Sequence, residues 1–288
     1  MQFLLEHHSW YALFQLHWLV ILGLAVYFYY KKIQHSPIYK VTGKHLFSFY
    51  TAIFSLLLIK VTPLTVLAQH YLFSAQVFAD SIIFFVIVPL FILGFPVSFY
   101  RRYVWDHRVK FALRILSHPW LTLIVFNGVL TVYYVPTIFN IAHSNYISSA
   151  LVQILLTFTA FFMWWVILQP IPELKNFEFL LRAAYIFFAS VALMPIGFFF
   201  LIKLEAHFPI YIENAHAIIP ALTPIYDQQL AGGVLKITQM FSYAVALLFI
   251  MFSWAKSEQE FEGQADDKHI RYVRGIVVHL PKDDKDKT

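Results

Sequence analysis

Seven apolar runs follow one another along the chain, at about residues 11–30, 45–67, 75–99, 121–139, 147–168, 180–204 and 233–254. Each is long enough to cross roughly 30 Å of hydrocarbon as a helix. In lipid a segment must satisfy its own backbone polar groups, so runs like these fold as helices packed on one another. Only 13% of the residues are charged, about half the usual share of a soluble domain. The expected fold class is an all-α integral membrane protein, a bundle of seven transmembrane helices. Glu6, His7 and His8 precede the first run with no positive stretch, so that run reads as a permanent helix, not a cleaved signal.

Charge sets the expected orientation. Lys31, Lys32, Lys40 and Lys44 follow the first run; Arg101, Arg102, Arg108, Lys110 and Arg114 follow the third; Lys175 and Arg182 follow the fifth. The connections at 70–74 and 140–146 contain no Lys or Arg. The positive-inside rule then predicts the N-terminus outside and the C-terminus cytoplasmic, with 205–233 outside. The isoelectric point near 9.2 is explained by these loops; the lipid bilayer is the implied partner and nucleic acid is not. Residues 1–255 read as one membrane domain and 256–288 as a charged cytoplasmic tail. Within the tail, 269–279 suit a small hairpin or helix and 281–288 a disordered end.

Two of the runs carry a charge inside them. Lys60 stands about six residues before the end of the second, and Asp80 about six residues into the third. At 1.5 Å per residue both lie about 9 Å inside the same outer rim. Opposite charges at matched depth mark either a functional centre or a structural ion pair. Gln76 shares a helix face with Asp80, four residues away. The chain has no cysteine, so any metal would need His, Met or carboxylate ligands. His70, His143, His207 and His216 fall on outer loops, without paired spacing. Met163 and Met194 suit packing, and Tyr133 and Tyr134 suit an interfacial belt near Pro136. Asp227, in the string DQQLAGG at 227–233, is placed to cap the last helix. Gly232 and Gly233 would admit a close neighbour, and Lys236 could snorkel outward. The sequence holds no nucleotide-binding or hydrolase motif, and no pair of mid-helix histidines for haem.

Five strings together resemble the Bacillus-type CtaG family of multi-pass cytochrome c oxidase assembly factors. They are FSAQV at 73–77, VPLFILGFP at 88–96, FNG at 126–128 with YVP at 134–136, MWW at 163–165 with PIPE at 170–173, and DQQLAGG. The resemblance implies a seven-helix protein of the bacterial cell membrane, without catalytic turnover. It would partner cytochrome c oxidase subunits and assist copper insertion into, or maturation of, the catalytic subunit. It also implies imidazoles where this chain has Gln76, Asp80, Tyr134 and Gln153, while Lys60 and Asp227 match. The expected metal ligands are Asp80, Gln76, His70, His143 and Asp227, with copper as the metal. The competing readings are an ion-coupled transporter built on Lys60 and Asp80, a metal-free membrane scaffold, and a sensory receptor. A retinal-type receptor would need a lysine at mid-depth of the last helix, and Lys236 is too near the outer end.

Overall fold

The structure is a computed structural model. It describes residues 6–104, 106–174, 178–214, 218–265, 270–273 and 276–279, so Lys175, His216 and the tail end at 281–288 lie outside the described residues. In chain order the helices are α1 (Trp10–Phe14), α2 (His17–Tyr29), α3 (Gly43–Lys60), α4 (Leu64–Tyr71), α5 (Phe73–Leu93), α6 (Val97–Val104) and α7 (His107–Leu116). There follow α8 (Pro119–Tyr133), α9 (Pro136–Ala142), α10 (Tyr146–Leu168), α11 (Phe179–Ala192), α12 (Met194–Ile202), α13 (Pro209–Ile212) and α14 (Pro224–Ala265). Among the described residues five helices are long and apolar enough to cross a membrane, or seven if each of two bent pairs is one span. The pairs are α3 with α4, bent by 63°, and α7 with α8, bent by 61°. The protein is therefore helical and membrane-embedded.

Its contacts divide into residues 1–244 and 245–288. In the second unit α14 runs on to Ala265, and an antiparallel hairpin pairs β1 (Ile270–Val273) with β2 (Ile276–His279), Ile270 opposite His279. In the first unit α5 is the most enclosed of the five long helices. It packs against α3 and α10.

Two element boundaries differ from expectation. The second run does not continue to residue 67 but stops at Lys60. Pro63 has no N–H to give to the Ile59 carbonyl; the Thr65 hydroxyl donates to it instead (2.6 Å), and Thr62 Oγ1 donates to Leu58 (2.6 Å). The last helix begins at Pro224, nine residues early, so DQQLAGG lies inside the helix and not in a loop.

The same solution recurs at three further helix breaks or ends. A π-turn at Ile83–Ile87 passes the Val88 N–H to Ile83, and Pro89 follows with no N–H to give. The Phe84 and Phe85 carbonyls take side-chain donors from other helices, the Trp164 indole (2.8 Å) and the Ser242 hydroxyl. Where α5 ends ahead of Pro96, Tyr29 and Tyr100 donate to Gly94 and Ile92, each at 2.8 Å. Arg182 donates to the Ile167 carbonyl at the end of α10 (2.9 and 2.5 Å). In hydrocarbon a freed carbonyl has no water to turn to, so each of these donors lets a helix bend or stop.

Candidate functional site

Asp80 projects from α5 and is 1% exposed. Gln76, one turn earlier on the same face, donates to both carboxylate oxygens at 3.1 Å. Tyr133 and Tyr134, at the end of α8 where Pro136 restarts the chain as α9, both donate to Oδ2, at 3.3 and 3.1 Å. The carboxylate is thus saturated by neutral donors. No Lys60–Asp80 ion pair within 4 Å is formed, whereas Arg101 does pair with Glu173. The early stop of α3 puts Lys60 in a terminal turn, and its Nζ lies 5.8 Å from the ring centre of Trp18 on α2. Three side chains do for Asp80 what the lysine was expected to do.

Beside this cluster lies a cavity of about 200 Å³, lined by Lys60, Gln69, Gln76, Tyr133, His143 and Gln153 among others. His143 caps α9. Its Nδ1–H donates to the Phe139 carbonyl (3.0 Å), which leaves Nε2 as the open acceptor. Its ring stacks on Phe139 with centroids 4.0 Å apart, and burial holds the imidazole below its ordinary pKa. Gln153 places a buried Nε2 without a hydrogen-bond partner among the described residues.

The other expected site residues are elsewhere. His70 does not line the cavity; it stacks on His8 at 5.5 Å, and His8 meets the Tyr71 hydroxyl through Nε2 (2.9 Å). His207 gives its Nδ1–H to Glu205 (2.6 Å) and its backbone N–H to Gln228 (3.0 Å). Asp227 does not cap its own helix. It caps α5, accepting from the backbone N–H of Phe73 (2.6 Å) and Ser74 (3.1 Å) and from the Ser74 hydroxyl. Gly232, one turn on, sits where an added Cβ would meet Phe200 at 2.9 Å and the Gly197 carbonyl at 3.1 Å; Gly233 has open space. Lys236 does not snorkel outward but donates to Ser190 (3.3 Å) and Gln239 (2.8 Å), tying α14 to α11. Met163 is buried and accepts from Tyr243 (3.3 Å). Glu173, from the string PIPE, has its carboxyl held below the usual range by the Arg101 hydrogen bond.

Of the five expected metal ligands, Gln76 and Asp80 touch, and Gln76 and His143 share the cavity. Among the described residues no group of three or more His, Asp or Glu is placed to hold a metal ion. The donors around the cavity are amides, phenols, one imidazole and one ammonium, a set better suited to hydrogen bonding than to ligating copper. Sequence reasoning did not single out Trp18 or Gln69 as site residues. Gln69 was concealed beside the more conspicuous His70, and Trp18 looked like any aromatic in an apolar run.

A protein-family model described as the cytochrome c oxidase caa3 assembly factor (Caa3_CtaG) matches residues 25–257. Comparison with curated proteins gives no match, and neither does comparison with solved structures.

Proposed function

The chain belongs to the caa3 cytochrome c oxidase assembly-factor family, and from that premise we propose that it matures the oxidase's catalytic subunit as a membrane scaffold. It does so through its helices and without a metal site of its own. The observation that carries the metal-free version is the saturation of both buried carboxylates. Asp80 accepts from Gln76, Tyr133 and Tyr134, and Asp227 from Phe73 and Ser74. Neither is left free for a cation. The same bonds weaken an ion-coupled transporter, since Asp80 is not held by Lys60 and does not line the cavity.

A second reading, delivery of copper to the catalytic subunit, draws on the open Nε2 of His143 and on the stacked His8 and His70 rings. The experiment is a deletion strain assayed for oxidase activity, oxidase copper content and subunit levels, then rescued by wild type or by His143→Gln. On the scaffold reading the deletant loses activity, His143→Gln restores it, and purified protein titrated with Cu(I) shows no stoichiometric tight site. Tight Cu(I) binding abolished by His143→Gln, with failed rescue, would favour copper delivery. Unchanged oxidase activity in the deletant would overturn both.

A further inference from the structure

The polar cavity continues into a second space that the assembly role does not use. An apolar groove of about 480 Å³ runs between α3, α5 and α10, walled by Leu56, Ile83, Ile87, Phe91, Phe158 and Phe161. Trp18, Lys60, Gln153 and Ile154 line both spaces, so they mark the junction. The two spaces differ in chemistry: amides, phenols and an imidazole above, aliphatic and aromatic walls below.

Two donors at the junction make no hydrogen bond with a described residue. Lys60 makes no hydrogen bond, and no ion pair within 4 Å, with a described residue; its Nζ overlooks the Trp18 ring and meets the charge of Asp80 only through space. The Gln153 Nε2 is buried and likewise without an acceptor. An ammonium and an amide N–H facing one cavity ask for an anionic oxygen. Asp80 makes no hydrogen bond with either; its oxygens accept from Gln76 and Tyr134, it acts on Lys60 only through space, and it does not line the cavity.

Depth points the same way. α3 has 18 residues, about 27 Å at 1.5 Å each, close to the hydrocarbon thickness. Gln153, which lines the junction with Lys60, stands seven residues or about 10 Å into α10, so the junction lies inside the rim and not at the headgroups. From that level the groove descends along α10 from Gln153 to Phe161 and along α5 from Ile83 to Phe91, about 12 Å on each helix. A cation and an amide above an apolar groove fit the outline of a membrane amphiphile drawn in from the rim. Ligand sites between helices of a bundle commonly combine an apolar body with a few orienting polar groups.

We propose that this junction is a binding site for an anionic phospholipid, its phosphate on Lys60 and Gln153 and one acyl chain in the groove between α3, α5 and α10. The site does not depend on the scaffold reading, and each stands if the other falls.

The test uses the full-length protein in detergent, titrated with phosphatidylglycerol or with phosphatidylcholine of the same chains and read by native mass spectrometry. One phosphatidylglycerol is held about tenfold more tightly than phosphatidylcholine, whose choline cation cancels its phosphate charge beside Lys60. Lys60→Gln removes the preference and Lys60→Arg keeps it. Ile154→Trp, which fills the groove beneath the cation, weakens retention of both lipids. Circular dichroism checks that each variant is folded. Excess inorganic phosphate leaves the lipid in place; its displacement would mark a site for free anions and overturn the lipid assignment. Equal retention of the two lipids, or a preference that survives Lys60→Gln, overturns the proposal. So does a Lys60→Gln variant that loses a co-purified oxidase helix while its lipid retention is unchanged.

Discussion

Asp227 is the residue on which the long-range order of the chain most visibly depends. It is fully buried, and its carboxylate seals the first turn of a helix 154 residues away. Replacing it by Ala orphans three donors at once and should cost about 3 kcal/mol. Asp227→Asn keeps one acceptor oxygen and should cost about half of that, and Ser74→Ala about 1 kcal/mol. Reversible unfolding in mixed micelles measures the series, and a loss for Asp227→Ala no larger than for Ser74→Ala would refute the assignment. The glycines make a second graded set. Gly232→Ala pushes a methyl into Phe200 and the Gly197 carbonyl and should cost about 1–3 kcal/mol. Gly128→Ala, with nothing within 4 Å, should be neutral or stabilise by up to about 1 kcal/mol. The same assay checks both, and equal effects would argue against the close approach at Gly232. The sequence made Asp227 conspicuous, as an acid in a polar string, and suggested its capping role. It could not say which helix is capped, because pairing across such a separation is a property of the packed bundle.

At the scale of the element, the breaks are as informative as the helices. The π-turn ahead of Pro89 leaves two carbonyls to be served by Trp164 and Ser242. Trp164→Phe should cost about 1–2 kcal/mol, near the upper end for hydrogen bonds between membrane helices. Pro89→Ala restores a backbone donor one turn on, so the Trp164→Phe loss should shrink in the double variant. A double-mutant cycle measures this, and strict additivity would mean that the indole bond does not compensate for the proline. Apolar runs located the spanning segments at 147–168 and 180–204 to within a few residues, since length and hydropathy are local properties. The run at 45–67 was read straight through Thr62 and Pro63, although a proline there is a stop signal. The early start of α14 was hidden by its composition, because Gln228, Gln229, Gly232 and Gly233 read as loop until Asp227 is seen holding the turn against α5.

At the scale of the whole molecule, the absence of cysteine makes orientation directly measurable. Each single-cysteine variant is a clean reporter. With the N-terminus outside, Asn145→Cys should react with an impermeant maleimide in intact cells, and Lys44→Cys or Arg114→Cys only after permeabilisation. The reverse labelling pattern would invert the topology. The membrane class and the approximate spans were legible because each follows from one stretch of chain. The cavity was not, because it is assembled from two separate runs of the chain, residues 15–76 and 133–154, which only the fold brings together. Gln153 was visible as a lone amide in an apolar run, and only the bundle shows that it faces Lys60, Gln76 and His143 across one space.

The seal on α5 also sets a clock. Its acceptor is made 154 residues after the donors it serves, which at about 5–20 residues per second is roughly 8–30 s of translation. Through that interval the first turn of α5 must borrow partners from water, lipid headgroups or the insertion machinery. The last spanning helix is thus the one that locks the third, and chains arrested before Asp227 should expose the Phe73 and Ser74 amides to hydrogen exchange that the finished protein suppresses.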